Sequence, residues 1–217
     1  VLACDTADTY DTGALVTAAN WLAGVLHAAG AGDKGLLIDL AARRLHWMCA
    51  SKAMGAWYLQ CAAASALVLE TRVLFSSVGS GLANVGQANY AAANACLDAH
   101  ARSQRARGTS ACSLQWPLVG GAGMGAAAFA AMGERQIAVA GLAGISLEDY
   151  AACLRSQLTA GVGIACSVQA VHQLEVGALL NDLADPSQAR FGELVAQTRR
   201  AAANAGPATP IIAPAPG

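Results

Sequence analysis

Short, nearly uninterrupted apolar runs alternate along the chain with longer stretches in which apolar positions recur at helical spacing. The runs are Val1–Cys4, Gly24–Ala28, Arg72–Val78, Ser110–Trp116 and Ile164–Val171, each bounded by Gly, Asp or Ser. A strand with one wet face alternates apolar and polar residues, and these runs do not. They predict strands covered on both faces, in a parallel sheet with helical crossovers. The helical stretches are one or two helices over Leu36–Ser65, another from Gln87 to Arg107 that stops at Gly108, and a third opening at Ser146. Ser146 can cap that last helix, and Glu148 and Asp149 suit its N-terminus. The glycine-rich stretch Gly120–Gly141 predicts a lid, and the Ala/Pro-rich end, Ala203–Gly217, an extended linker.

This order of elements predicts an α/β fold, a Rossmann-like doubly wound parallel sheet with flanking helices. Such a fold ordinarily opens on a strand and a glycine-rich phosphate loop at a helix N-terminus. No Gly-x-Gly-x-x-Gly follows the first run, so the first βαβ unit is expected upstream of Val1. The opening residues have neither an initiator Met nor the basic region of a signal peptide, and read as a cut inside a longer polypeptide. The expected organisation is a catalytic domain over residues 1–183, then a C-terminal helix and linker over 184–217.

Composition narrows the classes. Hydrophobic residues make up 55% and charged residues 12%, with a net charge of −1, so there is no electrostatic footprint for nucleic acid. Residues 109–133 carry no charge, but they hold Pro117 and five glycines and are poor in Leu, Ile, Val and Phe, which argues against a membrane span. Seven scattered cysteines, never spaced Cys-x-x-Cys, predict reduced thiols in a cytoplasmic setting (or inside a eukaryotic organelle) and no metal site.

The candidate chemistry lies in Val73-Leu-Phe-Ser-Ser-Val-Gly79 and Gly86-Gln-Ala-Asn-Tyr-Ala-Ala-Ala-Asn94. An apolar strand ending on hydroxyls places Ser77 at the carboxyl edge of the sheet, where α/β folds carry their ligands. Tyr90 follows thirteen residues later on a predicted helix, and Asn94 shares its face one turn on. Upstream, Lys52 interrupts an otherwise apolar segment in a chain whose only other lysine is Lys34. Together these side chains can reduce a ketone. Hydride addition builds negative charge on the carbonyl oxygen, which needs a hydrogen bond and a proton. A phenol ordinarily titrates near 10, and an adjacent ammonium favours its phenolate. Taken singly, each residue has a plain reading as a turn, packing or surface residue; the conjunction is far more specific.

The run Leu74-Phe-Ser-Ser-Val-Gly79, Gly86 to Ala99, Gly24-Val-Leu-His-Ala-Ala-Gly30, Lys52-Ala-Met-Gly-Ala-Trp57 and Ser113-Leu-Gln-Trp116 resembles ketoreductase domains of modular polyketide synthases, in the short-chain dehydrogenase/reductase superfamily. The resemblance covers about residues 1 to 175. Asn94 stands where ordinary short-chain reductases carry lysine, an exchange that polyketide and fatty-acid synthase ketoreductases share. The resemblance implies NADPH-dependent reduction of a β-ketoacyl thioester on an acyl carrier protein, beside other domains of the same synthase. It implies Tyr90 as acid, Ser77 as carbonyl anchor, Asn94 as proton relay and Lys52 as the group that tunes the phenol and touches the ribose. Asp5 would meet the adenine, Ala28, Ala29 and Gly30 would line the cofactor, Pro117 and Leu118 would lie near the nicotinamide, and Asp33 and Gln87 would face the substrate.

One stereochemical class of the family carries a Leu-Asp-Asp triplet after the His-Ala-Ala-Gly run. Here Gly32-Asp33-Lys34 keeps its central acid, and Leu82 stands near the position of the tryptophan that marks the opposite class. The expectation is therefore the D-configured hydroxyl. Trp116-Pro-Leu-Val119 departs from the family's Trp-Gly-x-Trp, which bears on the nicotinamide floor and the substrate preference. Two other readings remain: a structural ketoreductase segment without catalysis, and an epimerase or dehydratase on the same fold. Asn94 argues against the second, which usually keeps the lysine after the tyrosine.

Overall fold

A computed structural model describes residues 2–19, 21–64, 69–82, 86–120, 144–159, 168–170, 176–183 and 185–204. The chain divides into two compact units, Val1–Gln136 with Gly144–His172, and Ile137–Ala143 with Gln173–Gly217.

The first unit is built on a four-stranded parallel sheet, β1 (Gly24–His27), β2 (Thr71–Ser77), β3 (Cys112–Trp116) and β4 (Val168–Ala170), in that order. The register sets His27 beside Leu74 and Ser77 beside Trp116, so His27, Ser77 and Trp116 end their strands on one edge. β2 explains the continuous apolar pattern. Val73 and the half-buried Phe75 pack with Cys112, Leu114 and Trp116 against Ile145, Tyr150, Cys153 and Leu154. Leu74 turns to the other face, against Ala56, Leu97 and Ala101. A strand covered on both sides has no wet face to alternate toward.

The helices are α1 (Thr9–Ala18), α2 (Ala42–Cys49), α3 (Gly55–Ala64), α4 (Gly79–Leu82), α5 (Ala88–Ala106) and α6 (Leu147–Thr159). A 3-10 turn, Leu37–Asp39, precedes α2, and a π turn, Ala50–Met54, joins α2 to α3. α5 ends where expected, with Gly108 at a φ of 78°. Ser146 caps α6 as expected: its Oγ accepts from Asp149 N at 3.0 Å, and Asp149 Oδ2 accepts from Ser146 N at 3.3 Å.

Two expectations are corrected. Leu2–Asp5 lies in no strand: a strand exists by its ladder partner, and none of the described strands pairs with this segment. Ala203 and Asn204 continue a helix rather than begin a linker. Helix α1 was not expected. Asp8 caps it, accepting from Tyr10 N and Asp11 N at 2.7 and 2.9 Å, with Asp11 in its first turn. The lid stretch 121–141, residues 164–167 and 171 of the last strand and the linker from 205 onward lie outside the described residues.

In the second unit α7 (Val176–Asp182) packs against α8 (Gly192–Asn204), and Leu179 and Phe191 are buried. No helix of the described residues is long and apolar enough to cross a membrane.

A buried carboxylate ties α4, α5 and β3 together. Asp98 accepts from Ser113 Oγ and Ser80 Oγ at 2.6 Å each and from Gln115 Nε2 at 2.8 Å. Replacing it takes the acceptor from the two serine hydroxyls, Ser113 in the core and Ser80 half-buried, while Gln115 Nε2 keeps Ser80 Oγ at 2.8 Å. Asp98→Ala is expected to cost about 3 kcal/mol, read as a lower midpoint in denaturant with an unchanged slope.

Candidate active site

Lys52 is the centre of the arrangement. It lies in the π turn, only 3% exposed, and Nζ donates to Phe75 O at 3.2 Å. The same ammonium stands 5.4 Å from the centroid of the Tyr90 ring. Burial pulls its pKa down from 10.5 to about 8. Among the described residues, two of its three N–H donors remain after the bond to Phe75.

Tyr90 is half-buried in the first turn of α5, and its backbone is held twice. Tyr90 N donates to Asn89 Oδ1 at 2.9 Å, and Asn94 Nδ2 donates to Tyr90 O at 2.9 Å. Asn94 is fully buried, yet its Oδ1 accepts no hydrogen bond from the described residues. A buried amide oxygen in that state is a place for a water. Ser77 ends β2, and its Oγ accepts from Gly79 N at 3.2 Å, which leaves the hydroxyl proton free to donate. The predicted Lys52, Tyr90 and Asn94 are thus joined by contacts, with Ser77 two residues beyond the carbonyl that Lys52 holds.

Gly30 lies beside them. A Cβ there would stand 2.9 Å from Lys52 Cε and 3.0 Å from Nζ, so the loop backbone runs directly along the lysine. Ala28 is exposed and Ala29 half-buried on the way from β1 to that point. Gly30-Ala-Gly-Asp-Lys-Gly35 has a phosphate-loop spacing, but it leads to the 3-10 turn and holds Asp33, whose charge repels phosphate. Pro117 and Leu118 follow β3, half-buried, and Leu118 O accepts from Ile145 N at 2.9 Å. Gln87 is half-buried at the head of α5 and its carbonyl accepts from Ala91 N at 2.8 Å.

Asp33 is engaged within the protein. It pairs with Arg44, accepts from Asn89 Nδ2 at 2.6 Å and from Lys34 N at 3.0 Å. Arg44 first, and Asn89 after it, hold the Asp33 carboxyl below its ordinary range. Gly35 N also donates to Gly86 O at 2.8 Å, where Gly86 has a φ of 72°. This loop is therefore fastened to α2 and to the head of the tyrosine helix. Asn89 and Arg44 are the two site residues that the sequence reading passed over. Among the described residues no hydrogen bond joins Asp5 to the Lys52 cluster: Oδ1 accepts from Ala7 N at 2.9 Å, in the turn entering α1.

The contacts among Lys52, Tyr90 and Asn94 gather near the carboxyl end of β2. The KR domain family matches residues 1–121. The chain is 41% identical over 162 residues to the spectinabilin polyketide synthase system protein NorB of Streptomyces orinoci, 73% of this chain and 7% of that protein. It is 33% identical over 209 residues to the mycoketide-CoA synthase of Mycobacterium tuberculosis, 92% of this chain and 5% of that one. Among solved structures, the first ketoreductase of the tylosin polyketide synthase superposes with a TM-score of 0.69 at 31% identity, over 88% of this chain and 42% of that one. A-type ketoreductases from a modular polyketide synthase give 0.74 at 28%, over 90% and 41%. The chain belongs to the ketoreductase domains of modular polyketide synthases. It spans less than half the length of those solved ketoreductases and a small fraction of the synthases.

Proposed function

We propose that this chain reduces the β-keto group of an acyl thioester, presented on an acyl carrier protein, to the β-hydroxyl with NADPH, beside other domains of its synthase. The carrying observation is the buried Lys52 ammonium, set between Phe75 O and the Tyr90 ring. The residues present fit a nicotinamide nucleotide. Gly30 admits a close approach beside Lys52, whose two remaining donors suit a ribose hydroxyl. Ala28, Ala29 and Gly30 would line it, with Pro117 and Leu118 toward the nicotinamide and Asp5 toward the adenine. When bound, the reduced nicotinamide supplies the hydride.

The chain's own residues do the rest. Ser77 donates its free hydroxyl proton to the substrate carbonyl and fixes its orientation. Tyr90 delivers a proton to the oxygen as charge builds there. Lys52 stabilises the phenolate left behind, and water on Asn94 Oδ1 passes on the replacement proton. Asp33 shapes the substrate side through its ties to Arg44 and Asn89, with Gln87 at the helix head.

NADPH oxidation with a β-ketoacyl thioester surrogate, followed by absorbance, tests the proposal; no turnover despite bound NADPH would overturn it. Turnover should also fall as pH rises through about 8, because Lys52 loses its proton there. The limiting slope is about tenfold per pH unit, and a flat profile from pH 7 to 9.5 would exclude a required ammonium. Asn94→Ala removes both the relay oxygen and the anchor on Tyr90 O, and is expected to lower kcat about 30-fold with little change in KM. The product should carry the D hydroxyl, read by chiral chromatography; an L product would remove Asp33 from this role.

A further inference from the structure

Lys52 sits in the only π turn among the described residues, with Gly55 N–H reaching back to Ala50 O and to Lys52 O. π turns are rare, and tertiary contacts usually hold them. Relaxing one to α geometry shifts the helix phase by one residue, which turns a side chain through about 100°. The aim of Lys52 therefore depends on what holds the turn. No carboxylate pairs with it among the described residues.

His27 is in place to hold it. The ring ends β1, is 3% exposed, and Nε2 lies 3.0 Å from Lys52 O. A carbonyl only accepts, so Nε2 must carry the proton. Gly55 allows the approach: a Cβ there would stand 3.1 Å from His27 Cε1 and 2.6 Å from Thr6 Oγ1. We propose that His27 is the positioning residue for Lys52, its imidazole donating to Lys52 O and holding the π turn in the form that aims the ammonium at Phe75 O and the Tyr90 ring. The ring stays neutral for this task. Burial lowers its pKa first, and the Lys52 and His100 charges act the same way, while its bonds to the Lys52 and Ser51 backbone oppose them. His100 on α5 and Arg72 on β2 are the other basic groups lining the cavity beside it.

The inference rests on the reductase reading for its consequence in catalysis, but its geometry can be tested without turnover. The chain has two lysines, so side-chain labelling gives two resonances. In the full chain the Lys52 signal should titrate near 8. In His27→Phe it should titrate with ordinary lysines near 10.4, and His27→Gln, which keeps a donor, should restore the wild-type curve. His27→Phe should also lower kcat about tenfold with KM nearly unchanged. A folded His27→Phe whose Lys52 titrates as in wild type overturns the inference. Should that variant not fold, the wild-type nitrogen spectrum decides: a proton on His27 Nε2 at neutral pH supports the anchor, and a proton on Nδ1 alone refutes it. Wild-type protein that binds NADPH yet reduces no β-ketoacyl thioester would sink the reductase reading and leave the lysine titration untouched, so the two failures are distinct.

Discussion

Tyr90→Phe is expected to lower reduction of a β-ketoacyl thioester about 10³-fold while the protein stays folded. General acid catalysis by a positioned side chain contributes about 10² to 10⁴, and a 10³-fold loss corresponds to about 4 kcal/mol on the barrier. The substitution removes one oxygen. It leaves the ring beside Lys52, the bond from Tyr90 N to Asn89 Oδ1 and that from Asn94 Nδ2 to Tyr90 O. Among the described residues the phenol oxygen takes part in no hydrogen bond, so no partner is orphaned by its loss. Circular dichroism and the thermal midpoint should therefore match wild type while kcat collapses. Wild-type turnover in the variant would remove Tyr90 from the chemistry. A loss of activity with a loss of structure would instead point to packing.

Much of this was readable before the fold. Ser77 announces itself by ending an apolar run, and Tyr90 and Asn94 by falling one helical turn apart; both patterns are local and survive folding unchanged. Lys52 was visible as a charge inside an apolar segment, which predicts burial when a partner awaits it. Its π turn was not visible, because an apolar pattern with a period near 3.6 says nothing about one locally widened turn. Helix α1 was missed because its apolar residues spread around the helix among Thr, Ala and Gly, although Asp8 and Asp11 mark its start. Val1–Cys4 looked like a strand for the complementary reason. Composition supplies β propensity, but only a neighbouring strand supplies the ladder. Asp33 was recognised as an acid worth noting, while Arg44 and Asn89 lie 11 and 56 residues away from it. No spacing rule reaches that far, and the latch they form exists only once α2 and α5 have packed.

The second large effect is expected at Lys52, where stability and activity should move in opposite directions. A lysine whose pKa falls from 10.5 to about 8 binds fewer protons folded than unfolded between those values. Wild-type stability should therefore rise with pH from about 8 to 10.5, and below 8 the full burial cost is present. That cost is about 3 kcal/mol, with about 1 kcal/mol returned by the hydrogen bond to Phe75 O and the contact with the Tyr90 ring. Lys52→Met keeps the length and apolar stem of the side chain and removes the charge. The variant should gain about 2 kcal/mol at pH 7, a rise of roughly 4–8 °C in Tm, and the gap should close as pH approaches 10.5. Reduction should fall about 10²-fold or more, because the phenolate loses the cation beside it. Thermal melts of both proteins from pH 7 to 10.5, with turnover measured alongside, check the pair. A variant less stable than wild type at pH 7 would mean that the ammonium stabilises this core. A variant both more stable and inactive would identify a charge kept in the interior for catalysis, at the expense of the fold that holds it.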